Sequence, residues 1–251
     1  DILKIINKDV LLDINYYISS EKINLINRNL LPKWYRKNLP YSIILYCLLF
    51  FKKLFSFKNS KLKNVSVVLI AYTKNQRDAL SPLLKTRNDC NIFGDDKFGD
   101  FVFPSYKAYL FSLSYFFDVY KIYKTSINYI RLSFQYAFHE YWLVYGYFIM
   151  LTDYLKKVQA QIVIVSNDHT LRTRIVPYVC TYIGIKSVYI QHASASEQFP
   201  RLIFDYALLE GRDSLDKYLE IGKIDSEIFL LGSLNESNSE SLCTADKVNN
   251  I

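Results

Sequence analysis

Three short polar runs in this chain carry the residue types that do chemistry. They are Asn167-Asp168-His169-Thr170, Gln191-His192-Ala193-Ser194 and Glu210-Gly211, and each follows a run of aliphatic or β-branched residues. The chain has three histidines, and two of them, His169 and His192, stand in these runs. Asp168 precedes a helical pattern, where an Asp caps free backbone N–H groups for about 1 kcal/mol. Capping alone does not call for Asn, Asp and His in succession with Arg172 and Arg174 a turn later. A helix start suits a phosphate or carboxylate, and Arg172 could grip the same anion with two N–H groups. His192 leads into Ser194, Ser196 and Glu197. An imidazole there suits a general base, or a hydrogen bond to a substrate hydroxyl or phosphate.

Other chemistries are excluded by motif. There is no Gly-x-Ser-x-Gly elbow, no P-loop and no Gly-x-Gly-x-x-Gly fingerprint. Cys47, Cys90, Cys180 and Cys243 form no Cys-x-x-Cys pair. They read as reduced thiols of a cytoplasmic protein rather than as zinc ligands or a disulfide framework. Asp168, His169 and His192 lack diagnostic metal spacing, so no metal and no cofactor is expected. His139, beside Glu140 in an aromatic run, reads as structural.

The elements that hold these runs alternate strand and helix. Val65–Tyr72, Asn91–Gly94, Gln161–Ser166, Lys186–Ile190, Asp205–Leu209 and Glu227–Leu231 read as strands. Helices are expected from Thr73 to Lys85, from Leu171 to Ile183 and from Arg212 to Glu220. Pro177 predicts a kink or a later start in the second of these. Apolar residues recur every three or four positions from Tyr123 to Leu155, which predicts a long helix, interrupted at Gly146. Its aromatic stripe reads as core packing. Strand–helix–strand crossovers make parallel, right-handed sheets, and ligands bind beyond the carboxyl ends of such strands. The expected fold is therefore α/β. A Rossmann-like parallel sheet flanked by helices spans 65–234, a helical basic and apolar appendage spans 1–64, and 235–251 is a linker or disordered tail.

Composition agrees with a globular chain: 51% hydrophobic and 22% charged, with 7 Gly and 6 Pro, rules out general disorder, coiled coil and collagen. Charge is concentrated. Between Lys33 and Lys63 lie eight basic residues and no acid, more than the whole net charge of +7. The same segment holds Trp34, Tyr35 and the apolar run Tyr41–Phe51, which is short of the roughly 18–20 residues that span a bilayer. It suits either a helix packed on the main domain or one lying on an anionic membrane surface. Nucleic acid is not the expected partner, because the aromatics sit in apolar runs rather than between basic residues.

Ser166-Asn-Asp-His-Thr with Arg172, then Gly184-Ile-Lys-Ser-Val-Tyr-Ile-Gln-His192, Phe199-Pro and Phe204-Asp-Tyr-Ala-Leu-Leu-Glu-Gly211 resemble bacterial surface-polysaccharide glycosyltransferases of the GT-B kind, such as capsule and O-antigen enzymes. A more distant likeness is to CDP-glycerol glycerophosphotransferases. The resemblance covers about Val65 to Asn235 and departs at Ala193, where a Gly follows Gln-His in such proteins. It implies a nucleotide-sugar donor, a glycan or lipid-linked acceptor, and a first Rossmann-like domain of a two-domain enzyme, acting at the inner face of the membrane. A GT-B enzyme needs a second domain for its donor, so the chain, which opens without methionine, is expected to be the acceptor-side half, inactive alone. Under that resemblance Asp168 is the catalytic carboxylate and His192 positions an acceptor hydroxyl or leaving phosphate. Asn167, His169, Arg172, Gln191, Ser194, Glu197 and Glu210 would bind substrate. Phosphoryl-alditol transfer with His192 as base is one alternative. A non-catalytic sugar- or nucleotide-binding module that docks a partner enzyme is another.

Overall fold

The computed structural model describes residues 39–56, 64–94, 98–125, 128–168, 170–195, 199–232 and 246–247, with the backbone alone at 125, 128–137 and 246–247. They group into two compact units.

The sheet unit is α/β and Rossmann-like. Strands β1 (Val67–Ile70), β2 (Cys90–Gly94), β3 (Phe101–Val102), β4 (Ile162–Val165), β5 (Lys186–Ile190), β6 (Tyr206–Leu209) and β7 (Glu227–Leu230) run parallel, and β8 (Asp246–Lys247) closes the edge antiparallel. The order is β3-β2-β1-β4-β5-β6-β7-β8. Strand order reverses between β1 and β4, which makes that gap the switch point of the sheet.

Parallel strands buried on both faces must be apolar throughout, and Val67-Val-Leu-Ile70 is buried at every position. Alternation then sorts the side chains. Val67, Leu69, Ala71, Ile92 and Ile190 pack on one face with Leu80, Leu83 and Leu84 of helix α2 (Lys74–Thr86). The opposite face carries Phe93 against Tyr154 and Tyr189 against Tyr218 of helix α7 (Arg212–Ile221). Helices thus cover both faces. Gly94 is required where β1 and β2 end, because a Cβ there would lie 2.0 Å from the Ala71 carbonyl oxygen.

The helical unit contains α1 (Leu39–Ser56), α3 (Tyr106–Leu113), α4 (Phe116–Thr125) and α5 (Asn128–Lys157) as far as Asp153. It also takes the start of α6 (Leu171–Ile183), as far as Ile175. Its core is aromatic. Tyr46 stacks on Trp142 with ring centres 3.7 Å apart and meets Tyr109 edge-on. Tyr115 stacks on Tyr145. Trp142 Nε1 donates to the Ser112 carbonyl oxygen at 2.6 Å.

Several expectations need amending. Gly146 does not interrupt α5. A Cβ at that position would sit 1.6 Å from the Ala108 carbonyl oxygen, so glycine is what lets α3 and α5 approach. Pro177 lies inside α6 without ending it. Residues 104–153, read from sequence within the 65–234 domain, group with α1 in the helical unit. Of the tail read as a linker, only Asp246–Lys247 is described, and it pairs with Phe229 and Leu230. Six of the eight basic residues between Lys33 and Lys63, and the rest of the tail, lie outside the described residues.

Candidate functional site

The site is built from the strand ends outward. Past β1, Thr73 caps α2: the Gln76 N–H donates to Thr73 Oγ1 at 3.3 Å, while Gln76 Oε1 accepts from the Tyr72 N–H at 2.7 Å. This reciprocal arrangement is a variant of the capping box and fixes the turn beside the switch point.

Sheet register ties the candidate residues together. β4 and β5 are last paired at Val165 and Tyr189, and β5 and β6 at Ile190 and Leu208. Asp168, His192 and Glu210 thus follow the carboxyl ends of three adjacent parallel strands, three, two and one residues past β4, β5 and β6.

Asp168 is 0% exposed. Its Oδ2 accepts from the Tyr218 hydroxyl at 2.9 Å, and the Tyr218 and Tyr189 oxygens are 3.3 Å apart. A phenol has one proton, so with Tyr218 donating to the carboxylate, Tyr189 is the donor to Tyr218. Burial raises both phenols well above their ordinary pKa, and the Asp168 charge adds to the rise. Both therefore stay protonated and serve as donors. The cap of α6 falls to Thr170, whose carbonyl accepts from Thr173 and Arg174 N–H and whose hydroxyl lies 2.9 Å from that of Thr173.

Gln191 is also 0% exposed, and its amide is engaged by the protein. Nε2 donates to the Ala193 carbonyl at 2.9 Å and to Ser214 Oγ at 2.8 Å, and Oε1 accepts from the Glu210 N–H at 3.0 Å. Both amide protons are used. Gln191 reads as a clamp joining β5, the turn after β6 and α7 rather than as a substrate contact. Asn167 is buried, His192 and Glu210 are half-buried, and Ser194 is exposed. Glu210 is close enough to Tyr189 for its charge to help raise that phenol.

Arg172 belongs to the helical unit. Its guanidinium lies over the Tyr147 ring, 5.1 Å from the centre. Glu140 stands near it, with Oε1 3.4 Å from His139 Nε2. Burial pushes the Glu140 carboxyl up, but His139 and the Arg172 charge outweigh burial and hold it below the ordinary value. His139 is buried beside Glu140. His169 and Glu197 lie outside the described residues. Among the described residues, no three of His, Cys, Asp and Glu group closely enough to hold a metal ion.

Sequence reading missed Tyr189, Tyr218 and Ser214. A signal was present for two of them: Ser214, Leu215 and Tyr218 lie on the buried face of α7 at helical spacing.

No protein-family profile matches the chain, and no curated protein matches it.

Proposed function

We propose that this chain is the acceptor-side domain of a glycosyltransferase in cell-surface polysaccharide biosynthesis. It would work at the inner face of the membrane and transfer a sugar from a nucleotide-activated donor to a glycan or lipid-linked acceptor. The observation that carries the reading is that Asp168, His192 and Glu210 follow three adjacent parallel strands at the carboxyl edge of a Rossmann-like sheet. All three lie in the motifs on which the resemblance rests.

Burial divides the roles. Asp168 has no exposed surface, so in this conformation its carboxylate touches protein rather than substrate. The reading therefore moves the proton acceptor to His192, which keeps exposed surface. In transfer, the acceptor oxygen bonds to the anomeric carbon, the bond to the donor phosphate breaks, and the hydroxyl proton passes to the His192 imidazole. Asp168, through Tyr218 and Tyr189, acts as a positioning residue for the strand ends.

The test is transfer by the longest natural form of the protein, offered nucleotide sugars and, separately, CDP-glycerol. His192→Ala should lower kcat by about 10²–10⁴-fold with the melting temperature little changed. Activity with CDP-glycerol alone would replace sugar transfer by phosphoryl-alditol transfer. Full activity of a folded His192→Ala protein would remove the proposed base.

A further inference from the structure

We infer that α1 lies in the headgroup layer of an anionic membrane, apolar stripe down, and docks the helical unit there. One face of α1 is already occupied: Ser42 and Tyr46 are buried, with Tyr46 between Trp142 and Tyr109. The opposite face is open. Tyr41, Ile44, Leu48, Phe51 and Phe55 are 43%, 56%, 61%, 52% and 83% exposed. At about 100° per residue these five fall within an arc of about 80°, roughly 160° from the buried pair. Aliphatic and aromatic residues at spacings of three and four, facing water, require a cover.

Charge selects the cover. Lys52 on α1 is exposed beside the stripe. Lys33, Arg36 and Lys37 precede the helix, Lys58, Lys61 and Lys63 follow it, and no acid occurs from 33 to 63. A stretch of sequence whose only charged residues are basic, before, within and after an apolar helix, complements anionic lipid headgroups. The helix lies on the bilayer and does not cross it. No helix among the described residues is long and apolar enough to span, and the far face of α1 is held by Trp142 and Tyr109. The inference is independent of the glycosyl-transfer reading.

Co-sedimentation of the full chain tests it, using vesicles of phosphatidylcholine alone or mixed with phosphatidylglycerol. Binding should be specific to the anionic vesicles and weaken as salt rises. The triple variant Ile44→Ser/Leu48→Ser/Phe55→Ser changes only exposed side chains, so it should melt like the parent yet lose about a hundredfold or more in vesicle affinity. Lys52→Glu, on the exposed side of α1, should lose about fivefold or more. Equal binding to neutral vesicles, or unchanged binding by the folded triple variant, would overturn the inference. So would a parent dimer that the triple variant dissociates while vesicle binding is absent, since the stripe would then be a contact between copies.

Discussion

The Tyr218 hydroxyl donates to Asp168 Oδ2 at 2.9 Å, joining α7 to the carboxyl end of β4. Tyr218→Phe strips a donor from a buried carboxylate and an acceptor from Tyr189. It should cost about 1–3 kcal/mol in urea unfolding. Asp168→Asn keeps an oxygen for Tyr218 and should cost less. Equal stability of Tyr218→Phe and the parent would show that the bond contributes nothing.

Gln191 makes a second prediction. Replacing it by Leu leaves the Glu210 N–H and Ser214 Oγ without their amide partner. The expected loss is about 2–4 kcal/mol, from the buried Ser214 hydroxyl and the part-buried Glu210 N–H at about 1–2 each. Hydrogen exchange should quicken first at Glu210. Unaltered protection there would argue against the clamp.

Gly146→Ala should fail or fold poorly. The added Cβ would lie 1.6 Å from the Ala108 carbonyl oxygen, which is backbone and cannot swing aside. A loss of about 3 kcal/mol or more is expected, at the upper end of overpacking costs. A melting temperature equal to the parent's would mean the helices are farther apart than described.

Acid should weaken the sheet unit through Asp205. Its carboxylate accepts from the Ser187 N–H at 2.9 Å, Ser187 Oγ at 2.8 Å and Lys186 Nζ at 3.0 Å. Burial pushes its pKa up, but these donors outweigh burial and hold it below the usual value. A depressed folded-state pKa gives stability that is present above the unfolded value, near 4, and is lost as pH falls through the lower folded value. Asp205→Asn should therefore lower the melting temperature at pH 7 and flatten its fall below pH 4. Parallel pH profiles for the two proteins would remove this assignment.

Strands β4 and β5 were legible because Ile162-Val-Ile-Val165 and Lys186-Ser-Val-Tyr-Ile190 are β-branched and bounded by turn formers. Their carboxyl ends, and so Asp168, Gln191, His192 and Glu210, followed from topology rules. The two-residue strand β3 was not legible, since Phe101–Val102 is too short to show a period. The strand in the polar tail was hidden because β8 owes its shape to β7 rather than to its own residues. The burial of Asp168 was hidden too, as its partner Tyr218 is 50 positions away. Gly146 read as a break because only the neighbouring helix explains it.

The reversal of strand order has a consequence for synthesis. β1 is flanked by β2 and β4, and Val67 waits for Ile162. A chain leaving the ribosome therefore carries β1 with one open edge while the intervening helices are made. Such an edge, apolar on both faces, is a template for pairing with other chains. Fragments that stop before position 162 should accordingly collect in inclusion bodies, whereas those that include β4 and β5 have the partner strands that close the gap.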